Sequence, residues 1–156
     1  MTAQLAVEGG EPVCRTPFPR WPVLHEEDVA AAAEVLRSGH LTSLTGGVVA
    51  EFEAEFARYH GVRHALATSS GTTAIHLALV AANVGSGDEV IVPAHTFIAS
   101  ATPVMHQGAT PVFADVDTDT FTLLPSAIEA AVTPRTKAII AVHLNGHPAP
   151  MDELTA

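Results

Sequence analysis

The chain has 156 residues, 47% of them hydrophobic, and a formal net charge of −10. This size and composition suit a globular domain and exclude a disordered chain. The seven Lys and Arg residues are scattered, which excludes a nucleic-acid partner because phosphate-backbone binding needs clustered cations. No segment approaches the roughly 20 apolar residues of a membrane span, and the N-terminus lacks the pattern of a signal peptide, so a cytoplasmic location is expected.

The first segment, residues 1–24, is predicted to be an extended arm. Pro17, Pro19 and Pro22 stand too close together for a helix. A helix is predicted over 26–37, because acidic residues fill its first turn and a Ser-Gly pair follows its end.

A second helix is predicted from an apolar stripe that recurs every three or four residues and ends at a glycine. Its members are Val48, Phe52, Phe56 and Tyr59, and Gly61 follows. We expect this stripe to pack against a hydrophobic core.

Short apolar runs then alternate with stretches long enough for a helix. Strands are predicted at 64–68, 89–92, 110–114 and 137–142, and helices at 72–83, 95–106 and 125–132. This β-α-β-α order predicts an α/β fold with a largely parallel sheet and helices on its faces. The final letters, MDELTA, fall inside a further predicted helix with no strand after it, so a truncated chain is expected.

Ligands of an open parallel sheet bind beyond the carboxyl ends of its strands, where this sequence is polar. The stretch TSSGTTAIHLAL, residues 68–79, reads as a strand end, a small-residue turn and a helix start. Free amides at a helix N-terminus, nearby hydroxyls and Gly71 are the parts of a phosphate cradle. The spacing leaves open whether the Ser and Thr residues hold a phosphate or merely cap the helix. The stretch is neither a Walker A loop nor a dinucleotide fingerprint.

Phe97 follows the second predicted strand at the same edge of the sheet. A flat aromatic beside an anion site suits a planar heterocycle that carries a phosphate. The alternative is that Phe97 is an ordinary core residue.

Two patterns that could suggest a metal site are rejected. The run DVDTDTF begins like a calcium loop, but position six is Thr120 and position twelve is Ser126 where Gly and Glu are needed. We expect a strand-end turn organised by Asp115 instead. Two histidine pairs at four-residue spacing lack an accompanying acidic ligand, so no metal is predicted.

Five segments in order resemble one family: SGHLT, FEAEFARYHGVRHALATSSGTTAIHLAL, GSGDEVIVPAHTFIASATPV, GATPVFADVDTDTF and AAVTPRTKAIIAVHLNGHPAPMDEL. The chain resembles the DegT/DnrJ/StrS aminotransferases, pyridoxal-phosphate enzymes of fold type I that aminate keto-sugars and cyclitols. The resemblance implies that residues 25–156 are the N-terminal part of the cofactor-binding large domain, a partial three-layer αβα structure with a mainly parallel sheet.

The resemblance also implies the roles of individual residues. Gly71, Thr72 and Thr73 would bring the cofactor phosphate onto a helix N-terminus, and Phe97 would stack on the pyridine ring. His143 would be part of the pocket wall. Family members often have Tyr where this chain has Asn145, so an aromatic role is absent there.

No catalytic residue is expected in this chain. In the family, an acidic EDAAQ segment and the lysine that forms a Schiff base with the cofactor follow later, and both would lie beyond Ala156. Lys137, the only lysine, begins the fourth predicted strand, about 20 Å from His143 at about 3.3 Å per residue. Lys137 therefore cannot replace the lysine that forms the Schiff base.

The implied activity is transfer of an amino group from glutamate or glutamine to a keto-sugar, often nucleotide-linked, or a ketocyclitol, by a homodimer when the chain is full length. Two alternatives stay open. One is a sugar dehydratase of the same family, in which histidine replaces the lysine. The other is a non-catalytic α/β remnant that binds a phosphate-bearing ligand or a partner subunit.

Overall fold

The computed structural model describes residues 4–155 and divides the chain into two compact units, Met1–Arg63 and His64–Ala156. The first three residues of the predicted arm and the last residue of the predicted domain lie outside the described residues. In the first unit a 3-10 turn at Ala6–Glu8 precedes helix α1, Glu26–Ser38, and helix α2, Val48–His60.

Local chemistry explains where the two helices of the first unit begin and end. The Asp28 carboxylate accepts a hydrogen bond from the His25 backbone amide at 2.8 Å, which satisfies a donor at the start of α1. Gly39 and Gly61 end α1 and α2 with φ of 72° and 65°, a left-handed conformation that favours glycine. The two predicted helices are confirmed.

The prediction that the apolar stripe of α2 packs in a core is wrong for the residues that the structure describes. Phe52, Phe56 and Tyr59 are all exposed, Tyr59 by 86%. Phe52 and Phe56 contact each other with ring centroids 5.7 Å apart. An amphipathic helix buries its apolar face only where another apolar layer meets it, and the described part of the first unit supplies none for this stripe.

The second unit is an α/β structure. Its elements in chain order are helix α3 (Gly71–Ala81), strand β1 (Glu89–Pro93), helix α4 (Thr102–His106), strand β2 (Thr110–Ala114), helix α5 (Pro125–Ala131), strand β3 (Thr136–Ile139) and helix α6 (Met151–Leu154). The three strands form one sheet in the order β2-β1-β3, and both pairs are parallel. The predicted parallel α/β fold is therefore confirmed.

Strand β1 is central and is buried along its whole length. Its side chains alternate between the two faces of the sheet, as the two-residue period of a strand requires. Val90 and Val92 pack with Leu79 of α3 and Val104 of α4 in one hydrophobic cluster. Ile91 packs on the other face.

The second cluster joins Ile91 to Leu123 and to Ile128 of α5. Helices thus cover both faces of β1, which gives the three-layer αβα arrangement. A continuous apolar run such as EVIV is typical of a parallel strand that is buried on both sides.

Three element predictions need correction. Residues 64–68 are not a strand in the described chain, and the sheet consists of β1, β2 and β3. The predicted helix 95–106 is broken into a 3-10 turn at Ile98–Ser100 and α4. Pro103 lacks an amide hydrogen and suits only a helix start, so one helix cannot run through it. Strand β3 ends at Ile139, three residues before the predicted end.

Candidate functional site

The site begins at the N-terminus of α3, where Ser70 caps the helix. The Ser70 side chain accepts a hydrogen bond from the Thr73 amide at 3.2 Å. Its hydroxyl also lies 3.0 Å from the Thr73 hydroxyl, and the Thr68 hydroxyl donates to the Ser70 carbonyl at 2.9 Å. The turn is therefore held by its own side chains, and the capping interpretation holds for Ser70.

Capping by Ser70 leaves two other amides of the first turn available. Within residues 4–155, the backbone N–H groups of Gly71 and Thr72 have no acceptor. A β-carbon placed on Gly71 would meet no atom within 4 Å, so this end of the helix is open. Free N–H groups at the positive end of a helix dipole attract an anion.

These amides border an open cleft of about 480 Å³ in the second unit. The cleft is lined by Gly71, Thr72 and Ile75 from α3, by Thr96, Phe97, Ala99 and Ser100 from the chain after β1, and by residues 142–145 after β3. Four of the five residues predicted for a ligand site, namely Gly71, Thr72, Phe97 and His143, thus meet in one place.

The strand order explains why a cleft forms at this edge. The chain passes from β1 to β2 on one side of the sheet and then crosses back past β1 to β3 on the other side. Such a reversal separates the connections at the carboxyl ends of the strands and opens a crevice between them. The connections that follow β1 and β3 line this crevice.

Phe97 supplies the aromatic surface of the cleft. It is 74% exposed, which is high for a large apolar side chain, so the interpretation of Phe97 as an ordinary core residue is not met in the described chain. It precedes the 3-10 turn Ile98–Ser100, whose last residue is buried and whose hydroxyl lies 2.8 Å from that of Thr96. This contact fixes the short segment that presents Phe97.

The third wall is the loop after β3. His143 in this loop accepts a hydrogen bond at Nδ1 from the backbone amide of Ala149 at 2.9 Å. Asn145 and Gly146 have φ of 52° and 84°, and this left-handed pair turns the chain back. Asn145 therefore adopts the left-handed conformation that the turn needs, and it also lines the cleft.

Thr73 is not among the residues that line the cleft. Its amide bonds to Ser70, and its hydroxyl lies within hydrogen-bond distance of the Ser69 and Ser70 hydroxyls, at 3.3 and 3.0 Å. Its contacts stabilise the turn that presents the two free amides.

The aspartate-rich turn after β2 lies outside the cleft, and its organising residue is Asp117. Its carboxylate accepts from the amides of Thr120 and Asp119 at 2.8 and 2.9 Å. These bonds, the Thr120 amide first, hold the pKa of Asp117 below its usual value. The expectation that Asp115 organises this turn is therefore wrong, because the carboxylate that accepts these two amides belongs to Asp117, two residues later.

Sequence reasoning missed the buried Ser100 and its contact with Thr96. The four-residue spacing of two hydroxyl side chains was the available signal, since such residues meet on one side of a helical turn. Ile75 was also missed, because an isoleucine inside a helix is read as core.

Lys137 lies at the opposite end of β3 from the cleft. The register between β1 and β3 shifts after the pair Glu89–Thr136, and Lys137 is the extra, exposed residue at that shift. Among residues 4–155, no cluster of three or more His, Cys, Asp or Glu side chains could hold a metal ion. No helix in that range combines the length and the apolar character needed to cross a membrane.

A buried carboxylate lies at the amino end of the sheet. Glu89 is 6% exposed and accepts hydrogen bonds from the Thr133 hydroxyl and from the Arg135 guanidinium. The bond from Thr133, followed by that from Arg135, lowers the pKa of Glu89. This network ties β1 to the chain before β3, at the end of the strands away from the cleft.

The chain is similar in sequence to named aminotransferases. The chain is 46% identical over 162 aligned positions to L-glutamine:2-deoxy-scyllo-inosose aminotransferase of Streptomyces paromomycinus, and the match covers all of this chain and 38% of that protein. It thus spans well under half the length of the relative.

Solved structures of similar proteins superpose on this chain. An aminotransferase from Psychrobacter cryohalolentis superposes with a TM-score of 0.85 at 43% identity, over 89% of this chain and 35% of that one. NtdA of Bacillus subtilis, solved with its bound cofactor PMP, gives a TM-score of 0.76 at 40% identity, over 81% of this chain and 28% of that one.

The model of one protein family matches residues 22–156, which include both the cradle at Gly71 and the loop at His143. With the parallel sheet, the open helix N-terminus and the exposed aromatic in one cleft, this match assigns the chain to the DegT/DnrJ/EryC1/StrS aminotransferase family.

Proposed function

We propose that this chain supplies the phosphate and ring contacts of a pyridoxal-phosphate-dependent aminotransferase that aminates a keto-sugar or ketocyclitol. The observation that carries the proposal is the cleft itself, in which the free amides of Gly71 and Thr72 share a wall with Phe97 and His143. A planar phosphorylated ligand needs an anion site and a flat apolar surface in one place.

The residues present fit that cofactor. The amides of Gly71 and Thr72 would take its phosphate, and the absence of any atom near a β-carbon at Gly71 leaves room for an anion close to the backbone. Thr73 would hold the turn through Ser69 and Ser70. Pyridoxal phosphate supplies an electron sink that lowers the barrier to moving a proton at the amino-acid Cα.

Each element of the cleft then has a separate task. The helix N-terminus binds the anion, and the side chain of Phe97 orients the ring and keeps water from one of its faces. His143 and Asn145 form the wall contributed by the loop after β3. None of these residues is placed to act as the covalent anchor, and Lys137 is remote from the cleft.

The proposed substrates follow the names of the relatives. We propose glutamine or glutamate as the amino donor, because the Streptomyces relative is named as an L-glutamine-dependent aminotransferase. We propose that residues 25–156 belong to the cofactor-binding domain, that the arm at residues 1–24 precedes it, and that the protein is a cytoplasmic homodimer. The exposed aromatic face of α2 suits burial against further protein.

The test uses the protein purified from its native source, so that it has its natural length. The preparation is incubated with pyridoxal phosphate, L-[α-15N]glutamine or L-[15N]glutamate and a panel of keto-sugars and ketocyclitols. Mass spectrometry of the products measures transfer of the label. We expect one or a few acceptors to gain a 15N amino group.

Loss of the acceptor's hydroxyl without gain of 15N would support the dehydratase instead. Tight binding of pyridoxal phosphate with no turnover of any acceptor would overturn the aminotransferase and favour a phosphate-ligand-binding protein. Size-exclusion chromatography with light scattering on the same preparation tests the homodimer, and a monomeric mass would contradict it.

A further inference from the structure

The loop after β3 closes on itself through one side chain. Ala149 is 4% exposed, and its backbone N–H donates to His143 Nδ1 at 2.9 Å. A buried amide without an acceptor is unfavourable, so this bond both satisfies Ala149 and holds the imidazole ring. Two backbone bonds inside the loop, from Gly146 to His143 and from His147 to Leu144, support the same turn.

The direction of this hydrogen bond determines the tautomer of His143. A backbone amide can only donate, so Nδ1 must carry a lone pair, and the neutral ring then has its proton on Nε2. Within residues 4–155, Nε2 of His143 has no hydrogen-bond partner. His143 is exposed and lines the cleft with Gly71, Thr72 and Phe97. It is an unused donor on the wall of the site.

We propose that His143 donates a hydrogen bond from Nε2 to an oxygen atom attached to the aromatic ring of the ligand in this cleft. The Ala149 amide is the positioning group. The inference deepens the proposed function and depends on it. In this tautomer Nε2 has no lone pair to accept a proton, so His143 is a donor and not a base. The phosphate is left to the amides of Gly71 and Thr72, which belong to a different element.

Two substitutions separate the two ring nitrogens. His143→Asn places a polar atom two bonds from Cβ, where Nδ1 lies, so it keeps an acceptor for Ala149 but has no donor at the position of Nε2. His143→Gln places an amide nitrogen three bonds from Cβ, where Nε2 lies. Gln is therefore the variant that restores the proposed donor.

The readout is equilibrium binding of pyridoxal phosphate and, separately, of inorganic phosphate. We expect the dissociation constant for pyridoxal phosphate to rise by about 3- to 10-fold in His143→Asn and to return to within about 2-fold in His143→Gln. Inorganic phosphate should bind all three proteins equally. The 15N resonances of the wild-type imidazole should show an unprotonated Nδ1 and a protonated Nε2 without ligand.

Each contrary outcome has a distinct meaning. If wild type binds neither probe, the proposed function fails and the donor role fails with it. If wild type binds and His143→Asn binds pyridoxal phosphate equally well, only the donor role is overturned. A protonated Nδ1 in the spectrum, equal losses in Asn and Gln, or a parallel loss of inorganic phosphate would each overturn it too. The resonances are read on wild type, so they decide the tautomer even if a variant folds poorly.

Discussion

Thr72 and Phe97 reach the same cleft from different elements, α3 and the chain after β1. Thr72 brings its hydroxyl and a free amide, and Phe97 brings an exposed ring. A phosphate and a flat ring would therefore be held by separate residues. A double substitution at Thr72 and Phe97 can therefore remove both contributions at once.

We expect Thr72→Ala combined with Phe97→Ala to weaken retention of pyridoxal phosphate by at least about tenfold, because both a polar contact and a stacking surface are removed. Equilibrium dialysis measures the change. Phe113→Ala is the matched control, since Phe113 is 58% exposed on β2 and does not line the cleft. Unchanged retention in the double variant would show that the site is misplaced.

The lowered pKa of Glu89 predicts that the stability of the fold depends on pH in the acidic range. Its folded-state pKa is lowered, first by the Thr133 hydroxyl and next by Arg135, relative to about 4.3 in an unfolded chain. Its stabilising contribution is thus complete above the unfolded pKa and is lost as pH falls through the lower folded pKa. The thermal midpoint should fall more steeply with acid in wild type than in Glu89→Gln. Parallel pH profiles of the two proteins would contradict this assignment. Asp117, whose pKa is also lowered, affects the stability of both proteins in the same direction and so causes no difference between them.

At the scale of the element, α3 combines a structural cap with an N-terminus proposed to bind an anion. Ser70 satisfies the amide of Thr73, whereas the amides of Gly71 and Thr72 stay free. The cap is therefore found at Ser70, and the phosphate cradle proposed for the same turn would use other residues. A hydroxyl at the cap does not compete with an anion for the same donors.

Ser70→Ala is expected to lower the free energy of unfolding by about 1 kcal/mol, the usual effect of removing a helix cap. Urea denaturation followed by circular dichroism measures it. Ser69→Ala is the control, because the only bond of the Ser69 side chain in the described chain is a contact of 3.3 Å to Thr73, and a change of less than about 0.5 kcal/mol is expected. Equal effects of the two substitutions would contradict the cap assigned to Ser70.

On the scale of the whole molecule, the sheet has the proposed cofactor cleft at one end and the only lysine at the other. Lys137 is the extra residue at the register shift of β3, and the cleft lies past the far end of that strand. A Schiff base needs an amine within bonding distance of the cofactor aldehyde. Residues 4–155 place none there.

Pyridoxal phosphate is therefore expected to bind this 156-residue chain weakly and without a covalent bond in the cleft. Lys137→Arg should leave the affinity within about twofold of wild type, because the substitution removes an amine remote from the site. After borohydride reduction, peptide mass mapping should find the cofactor only on Lys137 or the N-terminal amine. A reduced adduct on any peptide of the cleft, or a large loss of affinity in Lys137→Arg, would contradict this arrangement.

Local chemistry alone was enough to predict several elements. Acidic residues and glycines mark the ends of α1 and α2, and an apolar run marks the buried strand β1. These features depend on neighbouring residues along the chain, so the sequence carries them directly. The same holds for the open N-terminus of α3, whose amides belong to one turn; that it binds a phosphate stays a prediction.

Only the tertiary structure decided which of these features meet. The order β2-β1-β3 brings the loops after β1 and β3 to one cleft and leaves the aspartate-rich turn after β2 outside it. The described structure also shows that residues 64–68 lie outside the sheet and that the aromatic stripe of α2 is exposed. Strand order, pairing and burial arise from contacts between distant residues, whereas periodicity and spacing report only what each segment can form by itself.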